Sequence, residues 1–451
     1  MERRAIVLAA GEGKRMRSSL PKVLHPLCGR PMVCYVLDAL EEMGVTRPIV
    51  VVGRGADKVR EAIGERAEFV EQTHPLGTGH AVQVAAPLLE GFSGTLLVLY
   101  GDVPLVTAAT LEELATRHEQ ANAAATIAVS VVEDPTGYGR VVRGGDGRVE
   151  RIVEEGDCTP EERQIREVNA GIYAFSTPDL LEALPHLQRD NVQGEYYLPD
   201  AVSWLIRQGR LVASVEVEAQ EAMGVNSRRE LSRAEEAMRQ RILDRLMDRG
   251  VTVVDPRTTY VHATAEVGEE TVLHPFTVIE GHTVIGRGCI VGPFAHLRGA
   301  RIADGVRVLS STIEESEVGE GTTIGPYAHL RPGNVIGRFV EIGNYAEMKN
   351  ARVGDYTKVH HMSYLGDATV GSRVNIGAGT ITCNFDGRRK HPTTIEEGAF
   401  IGSDTMLIAP VRVGKGAMTG AGSVVNKDVP PRGVAVGVPA RVIRYLPEEE
   451  R

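Results

Sequence analysis

Residues 261–297 read VHATAEVGEETVLHPFTVIEGHTVIGRGCIVGPFAHL, and every sixth residue of this stretch is aliphatic. The series runs without a break through Val261, Val267, Leu273, Ile279, Ile285, Val291 and Leu297. Two further registers with the same spacing follow, one over 318–348 and one over 395–413. Neither a helix nor a flat strand repeats with this period, whereas a chain that turns a corner at every sixth residue does. Three such faces close a triangular coil, and we predict that the coils stack as a solenoid.

A loop-rich β domain is the alternative interpretation, but it does not explain three registers of one period. A core of stacked single aliphatics needs few aromatic side chains, and Phe, Tyr and Trp make up only 5% of the 451 residues. The period falters near 348–361, and the polar stretch 384–391 interrupts it. Function tends to lie where a regular scaffold is interrupted.

The first half of the chain has the pattern of an α/β domain. Short apolar runs that end in glycine predict buried strands, and amphipathic stretches between them predict helices. The predicted strands are Ala5–Ala10, Ile49–Val52 and Thr95–Tyr100, and the predicted helices are Pro31–Met43, Thr78–Glu90 and Thr107–Gln120. This alternation favours a doubly wound parallel sheet, in which ligands bind outside the carboxyl ends of the strands.

Residues 227–249 differ from both halves, because they contain no Gly or Pro and carry one apolar stripe at helical spacing. We predict a long helix that connects two domains. The expected organisation is therefore a domain over 1–226, a linker helix over 227–249 and a solenoid over 250–451.

Composition narrows the class of protein. Fifty Lys and Arg against 60 Asp and Glu give a net charge of −10, which argues against a nucleic-acid binder but leaves room for small phosphorylated ligands. Five scattered cysteines without a CxxC pair argue against a disulfide framework or a zinc finger and favour the cytoplasm. No run of about 20 apolar residues predicts a membrane span, and the run 5–10 is too short for a signal peptide.

The first predicted strand leads into Gly11-Glu12-Gly13-Lys14-Arg15-Met16, and Lys22 follows shortly after. Two glycines let backbone N–H groups approach a phosphate, and Arg15 and Lys22 can neutralise its charge. The P-loop pattern is absent, so a plain tight turn stays an alternative.

A second motif lies at the same predicted sheet edge, where Asp102 follows the strand Thr95–Tyr100. A carboxylate beside a phosphate loop suits Mg²⁺ that bridges phosphate oxygens, although Asp102 could instead cap the next helix. Gln72 and the turn Gly77-Thr78-Gly79-His80 could read a base through hydrogen bonds.

Together these motifs resemble the signature of sugar-1-phosphate nucleotidylyltransferases. In combination with the hexapeptide half, they resemble the bifunctional N-acetylglucosamine-1-phosphate uridylyltransferase/glucosamine-1-phosphate N-acetyltransferase family over nearly the whole chain. The motifs that carry the resemblance are Leu8 to Met16, Pro21 to Leu24, Gln72, Gly77 to His80, Tyr100 to Leu105, Gly137 to Arg140, Gly194 to Tyr197 and Gly224 to Asn226.

The resemblance implies a Rossmann-like nucleotidylyltransferase domain, a linker helix and a left-handed parallel β-helix. It implies that Lys22 and Arg15 hold UTP phosphates, that Gln72, Gly77 and Thr78 read uracil, and that Asp102 and Asn226 ligate Mg²⁺. Other implied nucleotide or sugar contacts are Leu8, Ala9, Gly11, Gly13, Tyr100, Gly101, Gly139, Glu154, Asn169 and Tyr197. The implied substrates are glucosamine-1-phosphate, acetyl-CoA, N-acetylglucosamine-1-phosphate and UTP, and the implied assembly is a homotrimer through the β-helix.

In the solenoid, Arg331 and Lys349 are separated by one full coil of three faces, so we predict that they stack and grip a phosphate. Each could instead be a solvated side chain, but neighbouring like charges cost energy unless an anion lies between them. His361 could be a structural histidine. Acetylation of an amino sugar, however, needs a base, and imidazole suits that task.

By the same resemblance His361 is the base, Arg331 and Lys349 bind the sugar phosphate, and Tyr364 and Asn375 bind the sugar. The implied acetyl-CoA contacts are Ala378, Asn384, Phe385, Ser403 and Ala421. Phe385 stands where the family often has Tyr, and Val438 where many relatives have Arg, so Lys427 or Arg441 could meet the CoA phosphates. We interpret Cys383 as packing.

Two rival functions stay open. One is a pyrophosphorylase for another sugar-1-phosphate whose β-helix serves regulation or assembly. The other is a non-catalytic scaffold, against which Lys22, Asp102 and Asn226 argue.

Overall fold

The computed structural model describes residues 2–447, so Met1 and residues 448–451 at the ends of the predicted domains lie outside the described residues. The chain divides into two compact units, Met1–Met238 and Arg239–Arg451. Among the described residues, no helix combines the length and apolar character that a membrane span requires.

The first unit is an α/β domain whose strands and helices alternate. Its strands are β1 (Arg3–Ala9), β2 (Pro26–Leu27), β3 (Arg30–Pro31), β4 (Ile49–Val52), β5 (Glu68–Glu71), β6 (Thr95–Tyr100), β7 (Ala125–Val131), β8 (Arg140–Arg143), β9 (Val149–Val153), β10 (Glu167–Ser176) and β11 (Val212–Glu216). Its helices are α1 (Met32–Glu42), α2 (Ala56–Ile63), α3 (Thr78–Ala85), α4 (Ala108–Ala121), α5 (Thr177–Ala183) and α6 (Pro199–Arg207). Helix α7 (Arg228–Asp248) spans the division between the units. Short 3₁₀ turns are Lys14–Met16, Lys22–Leu24, Gly64–Arg66, Ala86–Leu89, Glu155–Asp157, Glu162–Gln164 and Leu184–His186.

The main sheet has the strand order β11-β7-β10-β6-β1-β4-β5. The predicted strands β1, β4 and β6 pair in parallel, and most of their apolar side chains are buried on both faces of the sheet. Strand β5, which was not predicted, extends this parallel arrangement and is only half-buried. Strand β10 is an exception that was not predicted, because it runs antiparallel to both β6 and β7. The chain enters β10 from the hairpin β8–β9 rather than through a crossover helix, and a parallel pairing requires such a crossover.

The predicted strands Ile49–Val52 and Thr95–Tyr100 match the structure at both ends, and the other predicted boundaries differ from it by at most five residues. The largest difference is at α3, which ends at Ala85 instead of Glu90 and continues as a 3₁₀ turn. Pro87 explains this early end, since its ring nitrogen has no N–H to donate to the helix. Helix α7 lies within one residue of its predicted limits at each end.

The second unit is the hexapeptide-repeat left-handed β-helix, built from three parallel sheets of very short strands. The first sheet contains Thr252–Val253, Val272–Leu273, Ile290–Val291, Arg307–Val308, Thr323–Ile324, Glu341–Ile342, Lys358–Val359, Asn375–Ile376, Phe400–Ile401, Met418–Thr419 and Gly433–Gly437, with Ala440–Tyr445 added antiparallel. The second contains Tyr260–Val261, Val278–Glu280, His296–Arg298, Thr312–Glu314, His329–Leu330, Glu347–Lys349, Tyr364–Gly366, Ile381–Cys383, Met406–Ile408 and Val424–Val425. The third contains Glu266–Val267, Val284–Ile285, Arg301–Ile302, Glu317–Val318, Val335–Ile336, Arg352–Val353, Ala368–Val370, Thr393–Ile395 and Val411–Val413.

The register of these sheets confirms the predicted stacking. Ile279 pairs with Leu297, which is a full coil of three six-residue faces further on. Leu297 pairs with Ile313, which comes two residues earlier than a full coil would place it. The coils therefore vary in length, because some corners are one or two residues shorter than others. The predicted inward aliphatics are buried, apart from Val267 in the first coil, which is half-buried.

Candidate active sites

A cavity of about 510 Å³ lies at the carboxyl ends of β1 and β6 in the first unit. Fourteen of the predicted site residues line it, and they come from many separate segments of the chain. They are Leu8, Gly11, Gly13, Arg15, Lys22, Gln72, Gly77, Thr78, Tyr100, Asp102, Gly139, Glu154, Asn169 and Asn226. Ala9, Gly101 and Tyr197 were also predicted as contacts but do not line the cavity.

Lys22 lies between the two predicted metal ligands. Its Nζ donates hydrogen bonds to the Asp102 carboxylate and, over 2.9 Å, to Asn226 Oδ1. The side chains of Lys22 and Asp102 are only 13% and 12% exposed, so the ion pair is largely shielded from solvent. Two oxygens therefore already converge on one cation at this point of the cavity. Carboxylate and amide oxygens are the hard donors that Mg²⁺ takes, so the donor set fits that metal.

The glycine-rich loop packs closely against Lys22. Gly13 has a φ of 61°, and a Cβ there would lie 2.8 Å from Lys22 Cβ, so this position requires glycine. Lys14 forms an ion pair with Glu12 over 3.0 Å, whereas Arg15 is exposed where the loop meets the cavity. The loop thus brings one shielded and one exposed cation to the same cavity.

Gln72 and the second glycine-rich turn form another part of the wall. Gln72 Nε2 donates to the Gly77 carbonyl over 3.0 Å and lies 2.9 Å from His80 Nδ1. A Cβ on Gly77, whose φ is 106°, would lie 2.5 Å from the Tyr196 carbonyl oxygen. The turn therefore has little room to move, and its hydrogen-bonding groups keep fixed positions. Such fixed groups suit the recognition of a planar base.

Buried polar groups lie at the other end of the cavity. Burial, followed by the nearby carboxylates of Asp200 and Asp157, raises the pKa of Glu154 to about 7. Asn169 Nδ2 donates to the Tyr173 hydroxyl over 2.6 Å. Tyr197 does not line the cavity, but its hydroxyl is buried without a hydrogen-bond partner within residues 2–447, and burial is the chief cause of its raised pKa. Such groups suit a ligand with several hydroxyls.

The sequence reasoning missed what holds Asn226 in place. The Glu230 carboxylate accepts from the Asn226 backbone N–H over 2.7 Å, and Ser227 Oγ accepts from the Glu230 N–H over 3.3 Å. This is a capping box at the start of α7. The pattern Ser-x-x-Glu at 227–230 was visible in the sequence and could have revealed it.

The outward face of the second β-helix sheet carries a row of charges that alternate in sign. Glu280, Arg298 and Glu314 follow one another in register, and Arg331 and Lys349 continue the row. Leu330 pairs with Met348, so Arg331 and Lys349 occupy the next position of neighbouring coils, as the predicted stacking requires, and they are the first neighbours of like charge in the row. Arg331 Nη1 also donates to Glu347 Oε1 over 3.1 Å, a partner that the sequence reasoning did not identify.

The next coil brings two more predicted residues to Lys349. Gly366 pairs with Lys349 across the sheet. A Cβ on Gly366 would lie 2.5 Å from the Tyr364 hydroxyl and 2.6 Å from Asn384 Nδ2. Asn384 Nδ2 in turn donates to Asp367 Oδ2 over 2.6 Å. The Tyr364 hydroxyl and the Asn384 amide therefore converge over a glycine beside the cationic pair.

One corner of the β-helix carries a second row of residues, all of them predicted from the sequence except Asn344. Asn344, His361, Ala378, Ser403 and Ala421 follow one another up this corner, each just before a residue with positive φ. Backbone hydrogen bonds link successive coils, such as Met362 N–H to the Asn344 carbonyl (2.9 Å) and Gly379 N–H to the His361 carbonyl (3.2 Å). The side chains above His361 in this row, Ala378, Ser403 and Ala421, are small, and we call the strip along this corner the C-terminal groove.

The two adjacent histidines lie in a corner and not on a strand. His360 and His361 both belong to the corner that follows Lys358–Val359. His360 is half-buried, with Nε2 3.0 Å from Glu341 Oε2, whereas His361 is exposed. Asn375 and Tyr364 lie on the two sheets that meet at this corner.

The polar interruption at 384–391 is a closed hairpin. Phe385 bridges to Lys390, and hydrogen bonds from the Arg389 and Arg388 N–H groups and from His391 lower the pKa of Asp386 to about 2. Phe385 is 61% exposed. Burial raises the pKa of the Cys383 thiol, which fits the packing interpretation. Val438 is exposed, and Arg441 donates to the Ala440 carbonyl over 2.8 Å.

Comparisons with known proteins agree with both halves. The MobA-like NTP transferase domain matches residues 5–197, and the bacterial transferase hexapeptide (six repeats) matches 264–299 and 392–427. The curated relatives named "Bifunctional protein GlmU" from Brevibacillus brevis and Heliobacterium modesticaldum are each 48% identical to this chain. Both alignments cover 96% of this chain, with 94% and 95% of the respective relatives. The protein of the same name from Shouchella clausii is 47% identical, over 96% of this chain and 95% of its own.

Proposed function

The chain belongs to the GlmU family of bifunctional proteins, and we propose that it makes UDP-N-acetylglucosamine with two separate active sites. The C-terminal unit transfers acetyl from acetyl-CoA to glucosamine-1-phosphate. The N-terminal unit then transfers uridylyl from UTP to N-acetylglucosamine-1-phosphate and releases pyrophosphate. One observation supports this proposal: most residues predicted for the first site line one cavity in the N-terminal unit, while those predicted for the second lie along one corner and the adjacent sheets of the C-terminal unit.

In the N-terminal cavity, an anionic phosphate oxygen of the sugar attacks the α-phosphorus of UTP in line, and pyrophosphate leaves. Such a nucleophile needs no general base, so the residues act by positioning and charge neutralisation. Arg15 and Lys22 neutralise the triphosphate. Gln72 and the turn at Gly77 read uracil, while Glu154 and Asn169 bind the sugar.

Mg²⁺ is part of this proposal, with Asp102 and Asn226 as its protein ligands. When bound, the ion neutralises the charge on the phosphates. Lys22 Nζ donates to both of these oxygens, so it would have to release them if they held the ion, and it could then contact a phosphate instead.

In the C-terminal groove, Arg331 and Lys349 bind the phosphate of glucosamine-1-phosphate, with Tyr364 and Asn375 on the sugar. His361 takes a proton from the sugar ammonium, and the free amine attacks the thioester carbonyl. The thiol of CoA leaves with a proton, and an amide remains on the sugar. Ala378, Asn384, Phe385, Ser403 and Ala421 contact acetyl-CoA. Alanine and serine in the row above His361 leave room for the pantetheine arm.

We further propose a homotrimer through the β-helix, located in the cytoplasm. Below His361 the same corner bears exposed aromatic pairs, Phe276 on Phe294 and Tyr327 on Tyr345, with ring centroids 4.9 and 5.5 Å apart. An exposed apolar row supports a subunit interface. Among residues 2–447 the five cysteines form no disulfide bond, which supports a reducing compartment. Light scattering should give three times 48.7 kDa. We also propose that the N-terminal domain ends at residue 226 and that the β-helix domain begins at residue 250.

A coupled assay on the purified full chain tests the proposed function. Glucosamine-1-phosphate, acetyl-CoA, UTP and Mg²⁺ together should yield UDP-N-acetylglucosamine and pyrophosphate. Without UTP the product should be N-acetylglucosamine-1-phosphate, and without acetyl-CoA pyrophosphate release should require added N-acetylglucosamine-1-phosphate. Pyrophosphate release with another sugar-1-phosphate, together with no acetyl transfer, would favour the rival pyrophosphorylase.

A further inference from the structure

Asn344 belongs to none of the motifs in the sequence, yet it lies one coil below His361 in the corner row. Its side-chain Oδ1 is 2.8 Å from His361 Nδ1. We propose that Asn344 is a positioning residue for acetyl transfer, which fixes the tautomer and the orientation of the His361 ring. This inference rests on the proposed function, in which His361 is the base.

The chemistry of the contact determines where the ring proton lies. An amide oxygen can only accept a hydrogen bond, so the Nδ1 of His361 must carry the proton and donate it. The other ring nitrogen, Nε2, then holds the lone pair that a general base needs. The opposite tautomer would place a proton on Nε2 and leave nothing there to accept one from the sugar ammonium.

The backbone around His361 makes such an orienting contact necessary. His361 and Met362 have φ values of 60° and 53°, so the chain turns sharply and holds the ring out from the coil. His361 is exposed, and packing alone does not restrain its side chain. Asn344 is itself tied to this corner, because its carbonyl accepts from the Met362 N–H over 2.9 Å.

The charged groups around His361 explain why the orienting partner is neutral. The His360 ring stands edge-on to the His361 ring, with centroids 5.6 Å apart. Glu341 is already shared between His360 (3.0 Å) and Lys358 (3.1 Å), and Glu347, which pairs with Tyr364, already bonds to Arg331 (3.1 Å). Tyr364 is the titratable residue on the strand that follows. An amide at 344 orients His361 without adding a negative charge, which would hold the proton on the imidazolium.

Two substitutions test this role through the pH profile of acetyl transfer. Asn344→Asp keeps an acceptor but adds charge, so the rise of kcat/KM with pH should move upward by about one unit. Asn344→Leu removes the acceptor and should lower kcat roughly ten- to hundredfold, while KM for both substrates stays within about twofold. Uridylyl transfer by the same polypeptide is the internal control for folding and should stay unchanged in both variants.

A double-mutant cycle separates positioning from a structural role. In the His361→Ala background, Asn344→Leu should cause no further loss of acetyl transfer, because there is no ring left to orient. The same fractional loss in both backgrounds, or an Asn344→Asp pH profile identical to that of the wild type, would overturn the inference. If His361→Ala itself keeps full acetyl transfer, the proposed function fails instead, so the two failures are distinguishable.

Discussion

The two sites of this protein are built in opposite ways. In the first unit, side chains from many separate segments converge on one cavity, and its central ion pair, Lys22 with Asp102, is shielded from water. In the β-helix, site residues recur at nearly one coil spacing along the corner and the adjacent sheet, and His361 is exposed. The comparison shows that burial can shift the pKa of a group such as Glu154 in the cavity. In the open groove of the β-helix, side-chain positions depend instead on the register of the coils and on contacts between neighbouring coils.

The sharpest test of this contrast is to inactivate one site and measure both reactions. Asp102→Asn removes the charge that holds Lys22 and that we assign to Mg²⁺, so uridylyl transfer should fall at least about a thousandfold. Pyrophosphate release from UTP and N-acetylglucosamine-1-phosphate is the measurement. Acetyl transfer by the same sample is the control and should be unchanged. Wild-type turnover in this variant would remove Asp102 from the metal site.

The reciprocal change is His361→Ala. Loss of a general base should slow acetyl transfer by roughly 100- to 1,000-fold and leave uridylyl transfer intact. Release of free CoA thiol from acetyl-CoA measures the first reaction. Equal loss of both activities would mean that the histidine is structural, and the independence of the two sites would be refuted.

A smaller effect is expected from Gly366→Ala in the groove. The new Cβ must displace the Tyr364 hydroxyl and the Asn384 amide, which are flexible ends that can move. We therefore expect KM for glucosamine-1-phosphate to rise about tenfold rather than a loss of folding. Gly145→Ala is the matched control, since a Cβ there meets no atom within 4 Å. An unchanged KM would show that Tyr364 and Asn384 do not need their present positions.

The smallest effect concerns stability and tests the role of burial. With its pKa raised from 4.5 to about 7, folded Glu154 keeps a proton that the unfolded chain releases between those pH values. The free energy of unfolding of the wild type should therefore fall as the pH rises through this range. Glu154→Gln avoids that loss and should be about 1–2 kcal/mol more stable at pH 8.5, with little gain at pH 4.5.

Thermal unfolding at the two pH values measures this difference, and about 1–2 kcal/mol corresponds to a shift of several degrees in the unfolding temperature of such a domain. Glu150→Gln makes the same chemical change at an exposed position of β9 and serves as the control. A gain that is the same at both pH values would show that burial does not govern the ionisation of Glu154.

The two regions also differ in how much of each could be predicted. The stacking of Arg331 on Lys349 followed from coil arithmetic alone, because a solenoid converts sequence spacing into spatial proximity. In the α/β unit, motifs predicted which residues meet, but the bond from Lys22 to both Asp102 and Asn226 could not be predicted. Asp102 and Asn226 lie 80 and 204 positions after Lys22, and no local spacing relates them. The antiparallel β10 was missed for a similar reason, since strand direction depends on the path of the intervening hairpin.

The sequence by itself determined the architecture of both units, because apolar period and glycine placement decide which segments can bury their side chains. It also determined which kinds of functional group are present at each candidate site. Only the tertiary structure decided that Asn344 contacts His361 and that Glu347 accepts a hydrogen bond from Arg331. It also decided that burial and nearby carboxylates raise the pKa of Glu154. These facts depend on side-chain direction and on solvent exclusion, which arise only when separate parts of the chain pack together.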